Sequence, residues 1–520
     1  MVLAISTISE QVQKVSGWCS RSSRRTSHRE IARELSAGEE EGTVLVEGEA
    51  GSTSSRYVAA PALLSLSLLG LATWFLTTRY FGASPSRVRP ADEVDEWGVG
   101  GGWKQQQVKG IIQQHGMYGV SLGGWLCLED WLNSGRHGSE VSTVSPPGQG
   151  QCLPPLLKHV PNWSSEGLLV KELMDSYGKD YAIKAISAYR ASFVSEKDLD
   201  EIAANGLKWV RLPLSWVTFA DALAKIYPAT YGQHDPMNDM VIVPDPFWKE
   251  HAFFVTVPRK ILLDFIHKAQ KRGLKVLLDI HNSPGGSQRG TYNGIWPLEP
   301  MFWKAKTNLS PRVPLTKLGL LIAEEMIHWI EGLEPELRSA IMGVCLMNEP
   351  GHMNALSHPF ADEGHILSWL AIAADIYRKS TLPRQNIKLY MSLIHTAFKN
   401  EAQMAIPWYH RTFSLEERKT WLVAELHYYQ AWNGDCDGST KWGASSYQCG
   451  EARSKGIAAG CAYGAASSFR QQWGPETQIA VNEFSLATFS EIDFACKDRE
   501  FLVYLLSVQL GAFQKEGFQT

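Results

Sequence analysis

The apolar run IMGVCLMN (341–348) ends abruptly in Asn348-Glu349-Pro350, and a second run, QIAVNEFSL (478–486), carries Glu483. A carboxylate at the end of a buried strand is costly unless it is paired or has a task. Two such carboxylates facing each other across a cleft are equipped for glycoside hydrolysis. One, protonated, donates to the leaving oxygen; the other, ionised, attacks the anomeric carbon. Mutual repulsion and local environment push their titrations apart. Asn348 can hydrogen-bond a sugar 2-hydroxyl, a contact that tightens in the oxocarbenium-like transition state. Pro350 lacks an N–H and disfavours the α region at Glu349, which favours a break there.

Other runs end in polar groups as well: Arg211, His281, His395 and His427, with Tyr429 two residues further on. Arg211 could hold a carboxylate ionised through a charge-assisted pair. His281, His427 and Tyr429 could orient the nucleophile and its neighbours. Singly, a strand-end histidine is more often a satisfied structural residue, and a lone glutamate after a strand is usually a helix cap or surface group. The weight lies in six such ends occurring in one register.

The elements that would position them follow a rhythm. Strands are expected at 119–126, 209–216, 275–282, 341–348, 387–395, 420–429 and 478–486. Amphipathic helices are expected between most of them, among them 195–206 (with a capping-box start), 258–273, 316–333 and 364–380. Near-continuous apolar strands separated by helices predict a parallel sheet covered by helices. Seven strands over roughly 400 residues favour a (β/α)8 barrel over an open doubly wound sheet, because a barrel brings the strand ends to one mouth. The fourth and seventh strands, bearing Glu349 and Glu483, stand nearly opposite each other around an eight-stranded barrel. That puts them at the short separation of a retaining mechanism. No dinucleotide fingerprint or P-loop opens a helix, and no histidine pair has a metal-ligand spacing. Neither a metal nor a cofactor is expected.

The chain of 520 residues has a formal net charge of −4, so nothing points to nucleic acid. Its 19 tryptophans serve a large core and also suit sugar clefts, where an indole face covers a pyranose. Residues 1–56 read as a disordered polar tail. The run 57–78 is uncharged and long enough to cross a hydrocarbon core, so 57–80 reads as a single-pass signal anchor. Residues 81–109 read as a linker, and 110–520 as the catalytic domain. Arg79, Arg87 and Arg89 alone would place that domain inside. Arg56 with the distal Arg21, Arg24, Arg25, Arg29 and Arg33 reverses the balance. The sequon Asn162-Trp163-Ser164, a weaker one at 308–310, and the polar stretch with Cys436, Cys449 and Cys461 lean toward an extracytoplasmic, type II arrangement. The eight cysteines form no C-x-x-C pair, and their pairing stays open. Cys345 reads as a buried thiol.

With these residues assembled, the chain resembles glycoside hydrolase family 5, in its exo-1,3-β-glucanase branch. The resemblance is carried by GVSLGGWLCLEDW (119–131), FVSEKD (193–198), NGLKWVRLPLSW (205–216), GLKVLLDIHNSPGGSQ (273–288), LMNEP (346–350), ELHYYQ (425–430) and VNEFSLAT (481–488). It implies a retaining β-glycosidase on β-1,3-glucan, with Glu349 as acid/base and Glu483 as nucleophile. Glu129, Arg211, His281, Asn348, His427 and Tyr429 would bind substrate. The chain is expected to act as a monomer. Three departures stand out. Tyr292 occupies the place where the branch carries an acidic residue that binds the terminal glucose. Thr396 replaces a second acidic residue after the fifth strand. After a final helix expected at 501–518, the branch's eighth strand is missing; an open barrel would expose two strand edges, so the expectation is a sequence cut short at its C-terminus, or else a barrel that closes some other way. The departures keep open another linkage specificity, a transglucosylase, or an inactive glucan-binding protein.

Overall fold

All seven runs rich in aliphatic and β-branched residues become parallel strands in the computed structural model, which describes residues 117–129, 164–288, 290–350, 363–395, 399–429, 452–486 and 499–520. In chain order they are β1 (Gly119–Ser121), β2 (Trp209–Leu214), β5 (Lys275–Ile280), β6 (Ile341–Cys345), β7 (Lys388–His395), β8 (Leu422–Tyr428) and β9 (Gln478–Phe484). They pair in that same order. Such order requires each crossover to move one strand along, as in a barrel. The expected helices form as Glu196–Ala204, Arg259–Gln270, Leu315–Glu331, Glu363–Lys379 and Arg499–Lys515. The first has a full capping box, Ser195 accepting from the Asp198 amide and Asp198 accepting in return.

Alternation along the strands builds two cores. Val210, Leu212, Val276, Leu278, Val344, Leu389, Ala424 and Ile479 face outward into the main helix-covered cluster. Their neighbours Trp209, Leu277, Cys345, Tyr390, Val423 and Ala480, one from each of six adjacent strands, form a separate cluster that fills the barrel floor. Two glycines make room for its largest members. A Cβ on Gly119 would lie 2.4 Å from the Trp209 ring, and one on Gly343 would lie 2.4 Å from the Tyr390 ring.

The sheet has seven strands and, as expected, no eighth among the described residues, yet its two edges do not stand open. Gln519 and Thr520 hold the eighth position at the floor. Val481 N donates to Gln519 O (2.8 Å) and Gln519 N to Ile479 O (3.0 Å) on one side. Gly119 N donates to Thr520 O (2.8 Å) on the other. The chain reaches there because Gly517, at φ +71°, reverses it after the last helix, with Phe518 N donating to Phe513 O (2.9 Å). Phe518 then packs on the Phe513 ring and under Arg470. Two edges are thus bridged where the sequence alone leaves them open.

A short antiparallel hairpin, β3 (Ile242–Pro244) with β4 (Phe253–Val255), was not among the expected strands. It packs on the helices Glu166–Tyr177 and Lys179–Phe193. The hairpin also steadies the loop after β5: buried Asp245 accepts from the Gly285 amide at 2.7 Å.

The tail, the apolar run 57–78, the linker, Asn162 and Thr396 lie outside the described residues. Among the described residues no helix is long and apolar enough to cross a membrane. Cys461 is disulfide-bonded, while Cys127 and Cys345 are buried free thiols.

Candidate active site

Period-two alternation carries each inward row from the apolar floor up to a polar mouth. Two residues above Trp209 stands Arg211. Above Leu277 come Asp279 and then His281, and above Val423 come Glu425 and then His427. At the last pair of strands the register shifts, so that Glu483, rather than Asn482, stands opposite His427. The bulge re-aims the glutamate toward the mouth.

Arg211 is the hub. Fully buried, it donates from Nη1 to Glu483 Oε1 and from Nη2 to Asn348 Oδ1 at 2.7 Å. Asp279 Oδ2 lies 3.0 Å and Glu425 Oε1 3.5 Å from the same Nη2. Burial alone would weaken the guanidinium's hold on its proton. Asp279, Glu483 and Glu425 more than reverse this and raise it well above its ordinary value. A cation with this many anionic partners is the condition under which buried charge is tolerated.

Glu483 also accepts from the Tyr429 hydroxyl (2.6 Å), and His427 Nδ1 lies 3.4 Å from its Oε2. Burial raises its titration, yet His427 and Arg211 together hold it below the ordinary carboxylate range. An ionised, hydrogen-bonded carboxylate in a cleft is the form a nucleophile needs.

Glu349 sits differently. Strand β6 ends at Cys345, and Asn348 N still donates to Ile280 O (3.0 Å) before Glu349 turns into the left-handed region at φ +45°. Such a backbone costs a non-glycine residue on the order of 1–3 kcal/mol and persists only where its surroundings fix it. Ser392 accepts from the Glu349 amide (3.1 Å). The Tyr292 hydroxyl donates to Oε2 (3.0 Å), and His427 Nδ1 meets Oε1 at 2.6 Å. His427 Nε2 lies 3.2 Å from Glu425. Burial lowers the imidazole's proton affinity. Glu483, Glu349 and Glu425 around it reverse the sign and push its titration up to about 10.

His281 Nδ1 pairs with Asp279 at 2.7 Å, and its Nε2 lies 3.9 Å from Glu129, which is buried at the end of the first described segment. Burial opposes the His281 proton, but Asp279 and Glu129 raise its titration. The eight residues expected to carry catalysis or bind substrate therefore meet at one mouth.

Four further residues belong to the site: Asp279, Glu425, Ser392 and Tyr292. The first two were legible. Each lies two residues before a mouth histidine and so points the same way along its strand. Ser392 carries no such signal, and Tyr292 lies on a loop, where no periodicity applies.

Glu349, His427 and Glu483 present donor atoms within 4.8 Å of one another, enough to hold a divalent ion. An ion would have to displace the imidazole proton that three carboxylates hold and compete with Arg211 for Glu483.

A parallel barrel with two carboxylates in one mouth is an arrangement of glycoside hydrolases. Curated relatives bear out the resemblance to the glucan 1,3-β-glucosidase branch. A glucan 1,3-β-glucosidase of Blumeria graminis is 28% identical over 178 residues, 34% of this chain and 30% of that protein. That of Lachancea kluyveri is 22% identical over 319 residues, 61% of this chain and 56% of that protein. The chain thus matches from about a third to just over half the length of these relatives. No family model matches. Among solved structures, a rutinosidase from Aspergillus niger has 15% identity and a TM-score of 0.46, covering 72% of this chain and 82% of that one.

Proposed function

We propose that the chain is a retaining β-glycosidase that hydrolyses β-1,3-linked glucan by double displacement. The observation that carries this is the Glu349–Glu483 pair, with donor oxygens within 4.8 Å and unlike surroundings. A retaining pair stands about 5 Å apart, whereas an inverting pair leaves room for a water. Glu483, held ionised by Arg211, His427 and Tyr429, attacks the anomeric carbon. As the bond to the leaving oxygen breaks, Glu349 gives that oxygen its proton. In the second step Glu349 takes a proton from water, whose oxygen attacks the same carbon and breaks the ester to Glu483. Asn348 holds the 2-hydroxyl, and Glu129, His281 and Tyr429 line the sugar site. The names of the curated relatives support β-1,3-glucan as substrate.

The uncharged run 57–78 supports a single-pass anchor, and the Cys461 disulfide supports an oxidising, extracytoplasmic side for the barrel. A second reading, a different β-linkage or a transglycosylase, draws support from Tyr292, which puts a neutral hydroxyl on Glu349 where the resembled branch has an acid. Release of reducing sugar from laminarin-type glucan tests the first reading. Glu483→Gln and Glu349→Gln abolish it, and wild-type rates in either variant refute it. A product profile on β-glucans of several linkages separates the two readings.

A further inference from the structure

The loop after β5 is built to deliver one hydroxyl. Asn293, fully buried, accepts from the amides of Ile295 (2.8 Å) and Trp296 (3.0 Å) and donates to the Gln288 carbonyl. Gly290 and Gly294 flank the turn at φ +124° and +81°. A Cβ on Gly290 would lie 2.5 Å from the Tyr292 ring, so the ring lies where only glycine permits. The Cys127 thiol reaches the Tyr292 carbonyl at 3.5 Å, and the ring is 5.7 Å from that of His281. The product of this construction is the 3.0 Å hydrogen bond from Tyr292 to Glu349 Oε2.

We propose that Tyr292 is a positioning residue that holds Oε2 of Glu349 in one place through both of its protonation states. The inference rests on the double-displacement reading, in which Glu349 loses a proton in the first step and regains one in the second. A hydroxyl can donate to a carboxylate and accept from a carboxylic acid, so it follows that change without moving. A carboxylate at this place would repel the ionised form, and an amide would have to flip. His427 on β8 holds the other oxygen, Oε1. Among the described residues, the other charged or titratable groups facing Glu349 include Glu483 and Tyr429, with Arg211 and His281 beyond them.

The test uses full-length chain with Tyr292→Phe, checked against the native chain by its unfolding midpoint. Dinitrophenolate leaves its β-glucoside without an acid, whereas the alcohol of an alkyl β-glucoside must be protonated as it leaves. The variant loses about 10-fold or more in kcat/KM on the alkyl glucoside and under about 2-fold on the dinitrophenyl one. Equal losses on both, or none, overturn the proposal. If the native chain turns over neither glucoside, the functional reading fails, and the contact is judged by NMR of ¹³Cζ-tyrosine protein. There the Tyr292 resonance, assigned through Tyr292→Phe, moves in Glu349→Gln, and its phenol, which burial and Glu349 hold un-ionised, ionises at lower pH. An unmoved resonance overturns the proposal.

Discussion

Arg211 on β2 donates to Glu483 on β9, and the second nitrogen of the same guanidinium donates to Asn348 after β6. One planar group thus fixes an ionised carboxylate and the orientation of an amide on opposite sides of the mouth. Because Asn348 turns Oδ1 to Arg211, its Nδ2 donor points away from the guanidinium, as a sugar hydroxyl requires.

Replacing Arg211 by Lys keeps one charge and loses the fork. Glu483 is held below the ordinary carboxylate range in part by Arg211, so its titration rises in the variant. The acid limb of kcat/KM therefore moves to higher pH, and kcat falls on the order of 100-fold. A pH–rate profile on an aryl β-glucoside reads both effects. An unmoved limb would mean that the ion pair does not set the charge of Glu483.

Asn348→Ala removes the donor meant for the 2-hydroxyl. The expected loss in kcat/KM is on the order of 100-fold, falling mainly on kcat, since the contact strengthens in the transition state. With a 2-deoxyglucoside the native chain and the variant differ little. A full loss on the deoxy substrate contradicts the assignment.

His427 gives a pH dependence of stability with a definite sign. Its titration is pushed from the ordinary 6.5 up to about 10 in the folded chain. The folded state binds that proton more tightly, so its stabilisation is fully present below pH 6.5 and is lost as pH rises through about 10. Urea midpoints between pH 6 and 10 fall for the native chain, and the fall is shallower in His427→Gln. Parallel curves would show that the imidazolium is not bound by its three carboxylates.

Gly343→Ala tests the barrel floor without touching the mouth. The added carbon meets the Tyr390 ring at 2.4 Å and the Lys388 carbonyl at 2.6 Å. Overpacking of this kind costs about 1–3 kcal/mol. Denaturant unfolding reads the loss, and an unchanged midpoint would mean that the ring moves freely aside.

The barrel was legible because each long run combined an apolar body with a polar end, as in KVLLDIHN and AELHYY. The hairpin escaped because Ile242–Pro244 and Phe253–Val255 are three residues each, too short to show a period. Gln519 and Thr520 escaped for the same reason: two residues carry no pattern, and their place is set by Gly517 and the packing of Phe518. Seven of the eight site residues came from strand ends, whereas Glu129, beyond the expected first strand, came with the resemblance alone. Tyr292 came from no strand end, because its position depends on Asn293, Gly290 and Gly294 in three dimensions. Its departure from the resembled branch was visible, but not that it reaches Glu349.

The central claim is a covalent glycosyl ester on Glu483. Incubating the full-length chain with 2,4-dinitrophenyl 2-deoxy-2-fluoro-β-glucoside traps that ester, because fluorine slows both steps and the good leaving group restores the first. Peptide mass spectrometry then finds one fluoroglucosyl group on the peptide bearing Glu483, and none in Glu483→Gln. A label on Glu349 or elsewhere, or turnover of the unfluorinated glucoside with inversion and no adduct, would contradict the account.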